Sequence, residues 1–221
     1  MTPFRPDAVL FDLDGTLLDS APDFYRILNQ LRHEQQLASL DYAQVRQQVS
    51  NGAAAMIQQA FGGLRNSSEL DRLREQLLQH YQANPAQDSI LFDGMTALLQ
   101  TLEQAQIPWG IVTNKPERFC TPILQQLSLN DRCGVLICPD HVSCRKPDPE
   151  GLYKACSKLN SRPERSLYVG DHVRDIEAGR NAGMATAGAL YGYLDETDQP
   201  EHWNADLLIE HPVELINWLR L

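Results

Sequence analysis

In the stretch "VLFDLDGTLLDS", Asp12 and Asp14 stand two residues apart, behind a short apolar run and ahead of a glycine and a threonine. Repulsion makes such a pair costly unless a cation joins it or the two carboxyls differ in protonation. Related groups follow other apolar runs: Thr113 and Asn114 after "WGIV", and Asp171 with Asp175 after "SLYVG", with Lys146 between them in "SCRKPDPE". Three or four carboxylates offer the hard oxygen ligands that Mg2+ prefers. Thr113, neighbouring main-chain N–H groups and Lys146 suit a phosphoryl group, whose transfer depends chiefly on positioning and charge stabilisation. One carboxylate can attack phosphorus and form an aspartyl-phosphate, dividing one hard displacement into two easier ones. A second, held protonated, can give its proton to the leaving alkoxide and then take one from water.

Each group also has a plainer reading. Asp and Gly after a strand can simply make a turn. Thr113 and Asn114 can cap a helix, a place that also attracts phosphate. A lone loop lysine is ordinarily a solvated charge. Asp171 and Asp175, four apart, would repel on a helix, which favours a cation beside them. His172 reads as a packed or exposed loop histidine rather than a base.

These residues share a pocket only if the fold brings them together. Short apolar or β-branched runs recur as "AVLF", "WGIVT", "GVLIC", "SLYVG", "ATAGAL" and "DLLIE". Between most of them lie helical patterns, such as Met95, Leu98, Leu99 and Leu102 or Leu152, Ala155, Cys156 and Leu159. The alternation predicts an α/β fold, a Rossmann-like parallel sheet covered on both faces. The carboxyl ends of its strands would open on one edge, where ligands bind. Residues 20–83 carry helical patterns only, in three groups, Phe24 to Leu31, Val45 to Ile57, and Leu70 to Tyr81, interrupted by "SNGAAAM" near Gly52 and by "FGGLRNSS" before the third group. The expected organisation is therefore a catalytic core of 1–19 and 84–221 with a helical domain, 20–83, inserted after the first strand.

Composition bounds the partners. A formal charge of −10 argues against non-specific nucleic-acid binding and against an anionic membrane surface. It leaves room for an anionic metabolite, because a metal ion and a few local cations can reverse the field inside one pocket. No apolar run reaches membrane-spanning length, and "MTPFRPD" does not read as a signal peptide. The five cysteines lack the tight pairs of a zinc site and read as reduced thiols, so a cytoplasmic location is expected.

Taken together, "DLDGTLLDS", "VTNK", "RKPDPE" and "GDHVRDIEAGRNAG" resemble, in order and spacing, the four signature motifs of the haloacid dehalogenase-like hydrolases. The match is to their phosphatases with a helical cap after the first motif, and it covers essentially the whole chain. It implies Asp12 as nucleophile and Asp14 as general acid/base, with Thr113 and Lys146, joined by Asn114, at the phosphate. It implies Mg2+ held by Asp12, the main-chain carbonyl of Asp14, and Asp171, with Asp175 a ligand or just behind one. Within the phosphoglycolate phosphatase-like branch, "VTNKPERF", "LICPDHV" and "YGY" followed by "WNAD" look like the bacterial group that acts on N-acetylmuramic acid 6-phosphate in cell-wall recycling. A phosphoglycolate phosphatase is the alternative.

Two positions depart from the family pattern. "SNGAAAM" is small where an arginine or bulky polar residue is expected, and His172 follows Asp171 where an acid or small polar residue is usual. Candidates to meet the distal part of a small phosphorylated metabolite are Arg26, Arg46, Asn51, Gly52 and Arg118. A phosphomutase would use the same aspartyl-phosphate. A dehalogenase would lack Asp14, and a phospho-aspartate receiver would be shorter and uncapped.

Overall fold

A computed structural model describes residues 5–63 and 65–219. The strands are β1 (Ala8–Phe11), β2 (Leu18–Asp19), β3 (Ile90–Leu91), β4 (Trp109–Val112), β5 (Leu136–Ile137), β6 (Ser166–Gly170), β7 (Ala185–Ala189) and β8 (Leu207–Ile209). Six form one parallel sheet in the order β5-β4-β1-β6-β7-β8. Strands β1, β4, β6 and β7 are buried along their whole length. That is why they read as continuous apolar or small-residue runs rather than alternating ones. Side chains still alternate between faces. Leu10 and Tyr168 pack in one cluster with Leu152, Ala155 and Ala178, while Val9, Phe11, Leu167 and Val169 join the larger cluster on the other side. Strand β1 lies between β4 and β6, so the chain runs outward from it in both directions. The crevice at such a reversal is where open α/β sheets bind ligands.

The helical insertion comprises α1 (Ala21–Glu34), α2 (Tyr42–Arg46), α3 (Gly52–Phe61) and α4 (Ser67–Ala83). Helix α1 buries Phe24, Ile27, Leu28 and Leu31, and α4 buries Leu73, Leu77 and Tyr81, the stripes expected from the sequence. Asn66 starts α4 by accepting the Glu69 N–H, while the Glu69 carboxylate accepts the Asn66 N–H. The middle group breaks near Gly52: a short turn over Val49–Asn51 separates α2 from α3, whose first residue, Gly52, has φ +82°. Glycine bears that left-handed φ without steric cost.

Two short strands escaped the sequence, since two residues each leave no periodicity. Strands β2 and β3 pair antiparallel, Leu18 with Leu91 and Asp19 with Ile90, where the chain leaves for the insertion and returns. Buried Asp23 reinforces this crossing, accepting the N–H and hydroxyl of Ser89 and pairing with Arg26 at 2.6 Å. The sheet's remaining helices are α5 (Met95–Gln104), α6 (Glu117–Gln126), α7 (Glu150–Lys158), α8 (Val173–Asn181) and α9 (Glu214–Leu219). The five cysteines are free thiols.

Candidate active site

Asp12 follows β1 directly, and its main-chain N–H still continues the sheet by donating to Val169. Its side chain is fixed at one oxygen: Oδ1 accepts the Leu13 N–H at 2.7 Å and pairs with the Lys146 ammonium at 2.9 Å. Among the described residues, no side-chain hydrogen bond falls on Oδ2. Asp171, just after β6, and Asp175, in the first turn of α8, complete a cluster with ligand oxygens within 4.8 Å of one another. Asp171 is held tightly: its Oδ1 accepts the Thr16 hydroxyl at 3.0 Å and its Oδ2 the Tyr193 N–H at 2.9 Å. Gly15 and Gly192 close around it, and a Cβ on either would strike its side chain.

The electrostatics of this cluster call for a further cation. Asp171 is buried, and burial, aided by the charges of Asp175 and Asp12, pushes its carboxyl up to about 7. Asp175 is also raised, chiefly by burial, although Lys146 pulls the other way. Burial works against the charge of Lys146, but Asp12 and Asp175 outweigh it and hold the ammonium above its usual range. With all three carboxyls ionised, one ammonium would leave a net −2 in this largely buried cluster. Hard oxygens of that charge fit a divalent metal ion.

Asp14 faces another way. Its carboxylate pairs with the Lys115 ammonium at 2.9 and 3.0 Å and accepts the Ser20 hydroxyl at 2.6 Å. Its side chain is therefore spent outside the three-carboxylate cluster, and only its main-chain carbonyl is left for a metal. Lys115 escaped the sequence reading, although it ends "VTNK". It is a buried ammonium that also bonds the Tyr81 hydroxyl at 2.8 Å, with the Tyr81 and Phe24 rings beside it. Burial opposes its charge, and Asp14 and Tyr81 override that and raise it. Core and helical insertion thus meet on this one side chain.

The remaining sequence candidates divide. Buried Thr113 lines the cavity at the end of β4, and its hydroxyl accepts the Lys115 N–H at 3.2 Å. Asn114 lines the cavity, and its side chain also braces Lys146. Its amide accepts the Lys146 N–H and donates to the Lys146 carbonyl, at 3.2 and 3.3 Å. Asn51, Gly52 and Arg118 line the cavity. Arg26 and Arg46 do not: Arg26 is consumed by Asp23 and Asp88, and Arg46 donates to the Tyr191 carbonyl over the Tyr193 ring. His172 caps α8, its Nδ1 accepting the Arg174 N–H, and burial with Arg174 nearby lowers it to about 4. It is neutral near pH 7.

The "YGY" segment gains a physical role. The Tyr193 hydroxyl accepts the N–H groups of Ser20 and Ala21 and donates to Asp19, and the Tyr191 hydroxyl donates to the Thr16 carbonyl. One loop thereby holds Asp171, the start of α1 and, through Arg46, the insertion. Ser50 reaches across as well, donating to Asp171 at 3.1 Å. The cavity, open to solvent on one side, has a volume of ≈ 540 Å³. Asp12, Asp14, Thr113 and Lys146 stand on its core side, and apolar Phe24, Val49, Met56 and Leu78 come from the insertion.

The sequence profile of the haloacid dehalogenase-like hydrolases matches residues 9–189. The chain belongs to that family. This hydrolase is 49% identical to the N-acetylmuramic acid 6-phosphate phosphatase of Pseudomonas aeruginosa over 219 residues, 99% of this chain and 97% of that protein. It is 45% identical to a phosphoglycolate phosphatase of Xanthomonas campestris pv. campestris over 210 residues, 95% of each. Among solved structures it resembles a predicted phosphoglycolate phosphatase from Haemophilus somnus, with a TM-score of 0.83 and 26% identity over 98% of both chains. The hydrolase is a phosphoric monoester hydrolase by these relationships, and the four motifs that carried the resemblance all lie at one edge of its sheet.

Proposed function

We propose that the chain is a Mg2+-dependent phosphatase that hydrolyses N-acetylmuramic acid 6-phosphate, in the cytoplasmic recycling of peptidoglycan sugars. Residues 20–83 act as the cap over a core of 1–19 and 84–221. Asp12 Oδ2 attacks phosphorus while Asp14, which must enter this step protonated, gives its proton to the departing sugar oxygen. Asp14 then takes a proton from the water that attacks the aspartyl-phosphate, releasing phosphate and restoring Asp12. Lys146 and Thr113 hold the phosphoryl oxygens, and Asn114 fixes the main chain of Lys146. Asp12, Asp171, Asp175 and the Asp14 carbonyl would hold Mg2+, which would neutralise charge on the phosphoryl oxygens.

The observation that carries the substrate reading is the cavity. At ≈ 540 Å³ with an apolar wall from the insertion, it suits a substituted sugar ring, whereas a two-carbon acid would leave most of it to water. The 49% identity to the Pseudomonas enzyme supports the same choice. The relative of 45% identity favours 2-phosphoglycolate as the second reading. Comparing kcat/KM for the two substrates on one preparation decides between them. A strong preference for the sugar phosphate is expected, and a preference for 2-phosphoglycolate would overturn the substrate assignment. No helix among the described residues is long and apolar enough to cross a membrane.

Metal binding should depend on pH in a direction set by Asp171. With its carboxyl raised to about 7, Asp171 stabilises the metal-free fold fully below about 4 and loses that contribution as pH rises through 7. Mg2+ must displace the proton below pH 7 and meets a free carboxylate above it. The rise in melting temperature on adding Mg2+ should therefore be larger at pH 8 than at pH 6. A tenfold change in Kd corresponds to about 1.4 kcal/mol, or roughly 3–5 °C for a chain of this size. An equal rise at both pH values would contradict Asp171 as a ligand.

A further inference from the structure

Deep in the cavity the cationic groups are engaged. Lys146 is committed to Asp12 and Asp175, Lys115 to Asp14, and the guanidinium of Arg174 donates to the Ser50 carbonyl at 2.9 Å. Two arginines lining the same cavity from the core side have no such commitment: Arg118, in the first turn of α6, and Arg145, immediately before Lys146. Both are exposed, and no ion pair among the described residues includes either. The Arg118 guanidinium lies 4.7 Å from the centre of the Phe119 ring, which gives it a stacked seat on the cavity wall. The facing wall from the insertion, with Val49, Ala53, Ala54 and Met56, offers no carboxylate, and its charged residue, Arg74, pairs with Asp71 at 3.9 Å. The Arg118 charge is shared with the carboxylate of Asp140, but no carboxylate of the insertion lines the cavity, so in a chain of net charge −10 two exposed guanidinium groups at its wall are a local reversal of field.

We propose that Arg118 and Arg145 form a second anion subsite, which binds a carboxylate on the leaving-group part of the substrate and so selects acidic sugar phosphates over neutral ones. The guanidinium fork matches a carboxylate in two parallel hydrogen bonds, a match that an ammonium cannot make. The subsite rests on the phosphatase reading and deepens it. It replaces the cationic contact absent from "SNGAAAM" with one supplied from the core.

The test uses a matched pair. N-acetylmuramic acid 6-phosphate and N-acetylglucosamine 6-phosphate differ by the lactyl ether and its carboxylate. In the wild-type protein kcat/KM should favour the acid at least about tenfold. In R118Q/R145Q that preference should fall by roughly 10- to 100-fold, mainly through KM for the acid, and R145K should recover only part of it. Both arginines are exposed, so unchanged melting temperatures would show that the fold is intact. If the double variant slowed both substrates by one factor, the arginines would supply only a steering field and the subsite would be refuted. A preference that survived the double substitution would refute it equally. Should the wild-type protein turn over neither sugar phosphate, the sugar reading fails, and 2-phosphoglycolate against ethyl phosphate then reads the subsite alone. Preference for the acid, lost in R118Q/R145Q, would keep it; equal rates would end it.

Discussion

Replacing Asp12 with asparagine should abolish turnover, lowering kcat by roughly 10⁴-fold or more, as loss of a covalent nucleophile does. The amide keeps the shape and can still accept the Leu13 N–H, so the fold should persist. Lys146 retains Asp175, at 2.6 Å, as its counter-charge. What is lost is the negative Oδ2, the oxygen of Asp12 on which no described side-chain hydrogen bond falls. A neutral amide oxygen in that place is a poor nucleophile and a weaker metal ligand. Two measurements separate chemistry from binding. Quenched single-turnover reactions with radiolabelled substrate should show phosphate attached to the wild-type protein and none attached to D12N. The affinity of D12N for inorganic phosphate should change far less than kcat. Substantial steady-state activity in D12N would remove Asp12 from the role of nucleophile.

How much of this could be read from residues alone follows from length and periodicity. The runs "AVLF" and "SLYVG" coincide with β1 and β6 because each strand is buried on both faces and needs no partner to be recognised. The stripe Phe24, Ile27, Leu28, Leu31 coincides with the buried face of α1 because a 3.6-residue period survives over fourteen residues. By contrast β2 and β3 are pairings of two residues, and only the return of the chain at Ile90 creates them.

The site divides in the same way. Asp12, Thr113, Lys146, Asp171 and Asp175 follow or lie near strong strand signals, and the parallel sheet brings those ends together. Lys115, Tyr81 and Tyr193 act through contacts 22 to 174 positions apart in the chain, which no local pattern encodes. Arg26 and Arg46 looked available for substrate because a sequence cannot show that Asp23, Asp88 and the Tyr191 carbonyl have already taken them.

The pairing of Asp14 with Lys115 makes the second large effect specific to the leaving group. A carboxylate held by two contacts to one ammonium and by the Ser20 hydroxyl is fixed in direction, and proton transfer requires that aim. Asp14→Asn can hold the same hydrogen bonds in part but carries no transferable proton. With a sugar phosphate, whose alkoxide leaves poorly, kcat should fall about 10²- to 10⁴-fold. With p-nitrophenyl phosphate the phenolate departs unaided, so the first step is spared. The second step is not, because the attacking water has lost its base. D14N should therefore release a burst of p-nitrophenol equal to the enzyme present and then turn over slowly. Wild-type protein should show no such burst if its two steps are balanced by the same proton carrier. If D14N lost no rate with the alkyl substrate, the proton would have to come from another group, and the Asp14–Lys115 pair would be holding the insertion closed rather than serving the chemistry. A Lys115→Met variant distinguishes these roles. Loss of aim should reproduce the leaving-group dependence of D14N, whereas loss of closure should slow both substrates alike.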